Sequence, residues 1–400
     1  MGRGRLAIDG GRPVRKEPIS YGRQSIDAAD ERAVVGALRS DYLTQGPLVE
    51  RFESEFAEFV GRRYAVAFCN ATAALHGAYE SLGVGPGRAL LTSPMTFAAT
   101  TNAALFLGAD VHFADIKSDS GLIDPKAVEA VLDDGIEDVA VLSVVHYAGA
   151  LADMNRLPKI ARRNGLRLVE DACHALGATG YDSAAGKFGD IAVFSFHPVK
   201  PITTAEGGMA VTDNRTLADR MRTFRTHGIS KSPEMARRFG PWHNEMRFLG
   251  YNYRLSELHS ALGLSQLRKF SAFLRRRQVI AASYDEFFVD MESVRPLTVP
   301  VGTRSAYHLY PILIDERRFR GGRRAVVEAL VAEGVLPQVH YLPVNAHPYY
   351  RQLGHRPTQT PRALAFSRSV ISLPIFPAMS EADVRDVQHA VEKVVAALRR

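Results

Sequence analysis

Four hundred residues exceed what one ordinary hydrophobic core holds, so two domains, or one large α/β domain with an appendage, are expected. A chain that is 46% apolar and 23% charged, with no apolar run near the roughly 20 residues that cross a bilayer, reads as soluble and globular. Its two cysteines, Cys69 and Cys173, exclude a disulfide framework and point to a reducing cytoplasm.

The net charge of +7 and a pI near 9.4 admit an anionic partner. The basic residues are scattered and carry no interleaved aromatics, which argues against nucleic acid and leaves a phosphorylated cofactor or a diphosphate-bearing substrate.

In chain order, Met1 to Arg15 is basic and glycine-rich with no apolar block behind it, so it reads as a mobile arm and not a secretory signal; residues 1–20 are assigned to it. Asp30 to Leu38 and Leu48 to Phe59 have amphipathic helical spacing. Tyr64 to Phe68 is a short buried strand, followed by Asn70-Ala71-Thr72 and a helix from Ala73 to Ser81. Ala89 to Thr92, Asp110 to Phe113, Val139 to Val145 and Leu166 to Glu170 are further strands, each followed by a helical or loop segment. This alternation predicts an α/β fold with a mostly parallel sheet covered on both faces. A long helix from Leu255 into the Arg275 region ties residues 21–270 to a smaller α+β domain over 271–400. That domain contains the strand HLYPILI from His308, a helix from Arg323 to Glu333, a strand around Leu336 to His340 and a terminal helix from Glu381.

Three segments carry chemistry. The strand from Leu166 ends in Glu170-Asp171, placing Asp171 at a carboxyl edge, where ligands bind in open α/β sheets; it could equally cap the next helix. In "FSFHPVKPITTAEGG" a strand runs into a loop in which Pro198 and Pro201 bracket Lys200 and predict an extended path. A lysine in a loop is ordinarily a solvated surface residue. Held in a partly buried loop it would have its ammonium form disfavoured, which suits it to anchor pyridoxal 5'-phosphate through an imine. Asp171 would then supply the carboxylate that keeps the pyridine nitrogen protonated. In "NATAALHGA" the backbone amides that open a helix at Ala71 and Thr72 make an anion site, with Ser195 as a second hydroxyl for the same phosphate, although Thr72 could simply be a cap. No metal motif competes, since the histidines are scattered and no HExxH occurs; "GVGPG" at 83–87 reads as a turn and not a dinucleotide loop.

In "LTQGP", "NATAAL", "SPMTFAATTNAAL", "VVHYAG", "VEDACHALGA", "FSFHPVKPITTAEGG", "LGYNYRLSELHSALGLSQL", "YHLYPI", "QVHYLPV" and "SLPIFP", the chain resembles the DegT/DnrJ/StrS sugar aminotransferases over Tyr21 to Pro374. Its "KPITTAEGG", "YHLYPI" and "QVHYLPV" versions are most similar to the branch that acts in pseudaminic acid biosynthesis. "HPVK" departs from the more frequent alanine-containing loop without displacing the lysine.

The resemblance implies a fold type I architecture and a homodimer with shared active sites. It implies Lys200 as covalent anchor and proton carrier, Asp171 on the pyridinium nitrogen, His174 on the ring hydroxyl, Phe97 against the ring face, and Ala71, Thr72 and Ser195 on the phosphate. Asn252 would reach that phosphate from the second subunit. Tyr21, Asp41, Tyr42, Leu43, Thr44, His340, Tyr341, Leu342 and Pro343 fall where relatives touch the sugar nucleotide. The implied reaction moves an amino group from L-glutamate to a UDP-4-keto-6-deoxy hexose. The alternatives are another keto-sugar nucleotide or keto-cyclitol as acceptor, and, outside enzymes, a cofactor-binding regulator that lost turnover.

Overall fold

The computed structural model describes residues 5–136 and 138–400. Seven strands form the central sheet: β1 (Tyr64–Phe68), β2 (Ala89–Thr92), β3 (Val111–Phe113), β4 (Val139–Val145), β5 (Arg167–Asp171), β6 (Ile191–Ser195) and β7 (Gly208–Thr212). Their spatial order is β1-β7-β6-β5-β4-β2-β3. The run from β3 to β6 is parallel throughout, and β7 lies antiparallel to both β6 and β1. The expected mostly parallel sheet is therefore present, with β7 as an antiparallel insertion that the alternating pattern did not announce. Nearly every residue of these strands is buried, because helices cover both faces and leave no polar side to alternate toward.

The helices of this domain are α1 (Ala28–Leu38), α2 (Pro47–Val60), α3 (Ala71–Ser81), α4 (Ala99–Leu105), α5 (Pro125–Asp133), α6 (Leu157–Arg163) and α7 (Arg215–Phe224). Local signals set their ends. Asn70 caps α3 by accepting from the Ala73 amide at 2.9 Å, and Pro47 opens α2, which closes on Gly61 in the left-handed region (φ 75°).

A short helix (α8, Pro233–Phe239) precedes α9 (Glu257–Phe288), which runs for 32 residues, about 48 Å at 1.5 Å per residue. Leu264, Leu267 and Phe270 belong to the core under β1, β6 and β7, whereas Ile280, Ala281, Tyr284 and Phe288 belong to the core of the C-terminal domain. The boundary expected at 270–271 thus falls inside one continuous helix that is a structural part of both domains.

The C-terminal domain is built on a three-stranded antiparallel sheet (Val294–Pro296, Tyr310–Ile314, Val370–Leu373) with helices Gly322–Ala332 and Glu381–Leu398 against it. The strand expected from Leu336 to His340 is confined to Val335–Leu336. Beyond it the chain turns irregular and meets the sheet only where Gln338 and Ser372 exchange backbone hydrogen bonds. That departure leaves residues 338–341 free to line a cavity.

The arm expected to be mobile is not free over residues 5–20. Leu6 is buried in the C-terminal core, and the Ala7 and Val14 amides donate to Glu333 at 2.8 and 3.0 Å. Arg15 pairs with Asp383 and Asp386, and Ile19–Ser20 forms a parallel pair with Val335–Leu336. Residues 1–4 lie outside the described part. Among the described residues no helix is long and apolar enough to cross a membrane.

Candidate active site

The carboxyl ends of the parallel strands open into a cavity of about 690 Å³ between the two domains, in the size range of small-molecule sites. Asp171 ends β5 and Ser195 ends β6; Ala71 and Thr72 begin α3 directly after β1. The antiparallel β7 closes this corner. A Cβ on Gly208 would lie 2.6 Å from the Ala71 backbone, so only glycine lets β7 approach the start of α3 so closely. The Ala73 amide is taken by Asn70, whereas those of Ala71 and Thr72 have no protein acceptor among the described residues. They lie at the positive end of an 11-residue helix, which suits an anion.

Lys200 stands in a loop closed on itself. Phe196 donates its amide to Gly207 and accepts from the Thr204 amide, both at 2.9 Å, and the Thr203 hydroxyl donates to the same Phe196 carbonyl at 3.0 Å. Within the loop the Lys200 amide donates to the His197 carbonyl at 2.9 Å. The path around Lys200 is therefore a turn with Pro198 at its second position, and not the extended run expected from the two prolines; the turn satisfies an amide that the extended path would have left open.

The side chain of Lys200 is part-buried in the cavity wall. Burial pulls its pKa below the usual lysine range, offset in part by Cys173 and Asp171. Its one hydrogen-bonding neighbour among the described residues is His308, with Nζ 3.4 Å from Nε2.

Asp171 is buried and accepts from two groups, the Thr100 hydroxyl at 2.6 Å and the Cys173 amide at 3.2 Å. His174 is buried with Nε2 3.2 Å from the Tyr341 hydroxyl, while its Nδ1 has no partner. Burial, with the Lys200 and His340 charges adding to it, holds the His174 imidazole neutral, and burial likewise drives His340 down to about 3.

These residues fit pyridoxal phosphate on the structure's own terms. A buried carboxylate, a lysine with its ammonium disfavoured, an unpartnered buried imidazole nitrogen and an anion-ready helix start share one cavity.

Of the residues expected from sequence, Tyr21, Ala71, Thr72, Phe97, Asp171, His174, Ser195, Lys200, His340 and Tyr341 line the cavity. Phe97 does so while 63% exposed, a position open to a ligand and not a core aromatic. Asn252, Asp41, Tyr42, Leu43, Thr44, Leu342 and Pro343 do not line it. Tyr42 and Leu43 are more than half exposed beside α1 and α2, Thr44 bridges to Ser256, and Asn252 sits on the surface bridged to Thr226. One chain does not bring these positions together with Lys200.

Sequence reasoning missed Thr96, Thr100, Cys173, Glu206, His308 and Gln338, which share the cavity. The signal for Thr100 was its spacing of four from Thr96, whose hydroxyl lies 2.6 Å away. For His308 there was none beyond a histidine at the head of a strand.

The profile of the DegT/DnrJ/EryC1/StrS aminotransferase family matches residues 24–392. The chain is 38% identical over 383 residues to the UDP-4-amino-4,6-dideoxy-N-acetyl-beta-L-altrosamine transaminase of Campylobacter jejuni, covering 96% of this chain and 99% of that protein. It is 36% identical over 384 residues to the spore coat polysaccharide biosynthesis protein SpsC of Bacillus subtilis, covering 95% and 98%. Among solved structures, Helicobacter pylori PseC, an aminotransferase involved in the biosynthesis of pseudoaminic acid, superposes with a TM-score of 0.89 at 34% identity, covering 96% of this chain and all 100% of that one. DesI, solved in the presence of its TDP-sugar product, gives 0.87 at 32% identity, covering 98% and 96%.

Proposed function

Because this chain belongs to the DegT/DnrJ/EryC1/StrS aminotransferase family, we propose that it transfers an amino group from L-glutamate to a UDP-4-keto-6-deoxy hexose, giving a UDP-4-amino sugar in a pseudaminic-acid-type pathway. One observation carries the chemistry: the amine of Lys200 and the doubly hydrogen-bonded carboxylate of Asp171 share a single buried cavity. The acceptor class rests on the likeness to the altrosamine transaminase and to PseC.

Pyridoxal phosphate would be held by this chain's own groups. The amides of Ala71 and Thr72, with the Thr72 and Ser195 hydroxyls, would bind the phosphate; Asp171 would keep the ring nitrogen protonated; His174 would meet the ring hydroxyl; and Phe97 would cover the ring face. When bound, the cofactor supplies an electron sink for the carbon that gains or loses nitrogen. Lys200 would anchor the cofactor and, when free, would hold and move the substrate proton at Nζ, as base in one half-reaction and as acid in the other. Its lowered pKa favours the free amine that the base role needs.

Gln338, His340 and Tyr341 line the side of the cavity nearest the C-terminal domain, where a sugar would enter. Tyr147, buried beneath Tyr341, donates its hydroxyl to the His340 carbonyl and keeps that wall in place. Asn252 and residues 41–44 would complete the site of a second copy in a homodimer, which accounts for their exposure on one chain. The chemistry involves only small soluble metabolites, in keeping with a cytoplasmic enzyme.

The likeness to DesI favours one second reading, a TDP-linked keto-sugar as acceptor. Both readings are tested together. Purified protein with glutamate and a panel of UDP- and TDP-linked 4-keto-6-deoxy hexoses is expected to yield a UDP-4-amino sugar by mass spectrometry. Borohydride fixation of the cofactor is expected to label the Lys200 peptide, and Lys200→Ala should lose both the cofactor absorbance and turnover. A labelled lysine elsewhere would overturn the assignment.

A further inference from the structure

Behind the wall of the candidate site lies a buried cation with no acidic partner. Arg277, on α9, is 1% exposed and forms no ion pair among the described residues. From Nη1 it donates to the carbonyls of Tyr307 and His308 at 3.2 Å each, and to that of Ile375 at 2.8 Å. A guanidinium placed there is costly to bury, so the segment it grips must be held firmly. The gripped segment is bent, with Tyr307 in the left-handed region (φ 46°). His308 follows that bend and enters the cavity wall, its ring centroid 4.5 Å from that of His174 and its Nε2 3.4 Å from Lys200 Nζ.

An ammonium can only donate, so with Lys200 charged Nε2 is the acceptor at this contact, and the imidazole proton then sits on Nδ1, which has no partner among the described residues. Burial and the neighbouring Lys200 charge keep His308 neutral, as that role requires.

We propose that His308 is a positioning residue for Lys200: it accepts an N–H of the lysine amine at Nε2 and keeps Nζ on the C-terminal-domain side of the cavity while Lys200 is detached from the cofactor, with Arg277 fixing His308 in place. This rests on the reading of Lys200 as the cofactor-bearing base. Without an acceptor on this side, the one anionic partner for the lysine in the wall of β5 is Asp171. An ion pair between the two would draw that carboxylate away from the cofactor's ring nitrogen and leave the proton carrier at the wrong end of the cavity. The titratable groups that share the cavity with Lys200 and His308 are Asp171 at the end of β5 with Cys173 and His174 after it, His197 and Glu206 in the Lys200 loop, and Tyr21, His340 and Tyr341 opposite; Arg277 adds a positive charge behind His308.

The test reads the lysine directly. In the full chain freed of cofactor, the pH dependence of Lys200 acetylation by acetic anhydride is followed by peptide mass spectrometry. His308→Leu removes an acceptor from the ammonium, and a hydrogen bond to a charged group is worth about 1.5–3 kcal/mol, so the midpoint is expected to fall by about one to two pH units. His308→Gln, which keeps an acceptor at similar reach, is expected to titrate as the parent does. In the holoenzyme the Leu variant should lose roughly 10-fold in kcat with the KM for glutamate unchanged, and Gln should restore most of it. Should the Leu variant not fold, His308→Asn, polar but too short to reach Nζ, carries the same expectation. An unmoved midpoint in the folded Leu or Asn variant overturns the proposal. Borohydride labelling of the parent separates the two failures: a labelled Lys200 peptide beside an unmoved midpoint sinks only the role of His308, whereas an unlabelled one sinks the reading beneath it.

Discussion

Thr100 donates its hydroxyl to Oδ2 of Asp171 at 2.6 Å, and Thr96 stands 2.6 Å behind Thr100. A buried carboxylate proposed to face a cofactor's ring nitrogen is aimed by such a bond, because its rotation about the terminal torsion is otherwise broad. Thr100→Val keeps the shape and removes the donor. Loss of a hydrogen bond to a charged group is worth about 1.5–3 kcal/mol, so the dissociation constant for pyridoxal phosphate is expected to rise at least roughly 10-fold. Fluorescence titration of the cofactor-free protein measures it, and an unchanged constant would mean that the Cys173 amide alone orients Asp171.

Gly208→Ala tests the phosphate corner. Its new Cβ would sit 2.6 Å from the Ala71 nitrogen and Cα, backbone atoms that cannot step aside as a flexible side chain would. Overpacking of this kind costs about 1–3 kcal/mol, and here the displaced element is the helix start proposed to bind phosphate. The expected outcome is a loss of cofactor affinity larger than the fall in Tm alone explains. Retention of full affinity would place the phosphate elsewhere.

Glu170, beside Asp171 in β5, has a different task. It is fully buried, accepts from the amides of Gly186, Phe188 and Gly189 at 2.7–2.8 Å, and lies 3.0 Å from His146 Nε2. These partners hold its carboxyl below the usual range despite burial. Glu170→Ala strands three amides and an imidazole, so a loss of at least about 3 kcal/mol in urea unfolding is expected. A loss below 1 kcal/mol, on the scale of a surface substitution, would contradict this account.

His340 gives the protein an acid-sensitive stability. Its pKa is held down to about 3, chiefly by burial, against an ordinary value of 6.5. Above pH 6.5 neither the native nor the unfolded chain is protonated there, and His340 contributes nothing to the pH dependence. As pH falls below 6.5 the unfolded chain takes up a proton that the native one refuses, so stability drops until about pH 3. At pH 5 this amounts to about 2 kcal/mol. His340→Gln is expected to shrink the difference between unfolding free energies at pH 7 and pH 5 by that amount; parallel curves for the two proteins would place the acid sensitivity in another group.

Much of the large domain was legible because its signals are local. Tyr64–Phe68 and Val139–Val145 form strands with the expected limits, since apolar runs this short, the second rich in β-branched valine, fit a buried strand better than a helix. The Lys200 loop and the end of β5 were legible for a related reason: each packs its chemistry into a few consecutive residues. The strand β7 was less so, being defined by a neighbour it runs against and not by anything in its own sequence.

The amino-acid sequence by itself determined that Asp171 would end one strand of an α/β sheet and that Lys200 would stand in the loop after another, because burial and strand-end geometry are written into short runs of residues. Tertiary structure alone decided what surrounds them. Thr100 meets Asp171 across 71 positions, His308 meets Lys200 across 108, and the N-terminal segment meets Glu333 across more than three hundred. Contacts at such separations arise only when sheet, helices and the second domain pack together, and no periodicity within either segment encodes which distant side chain its partner will be.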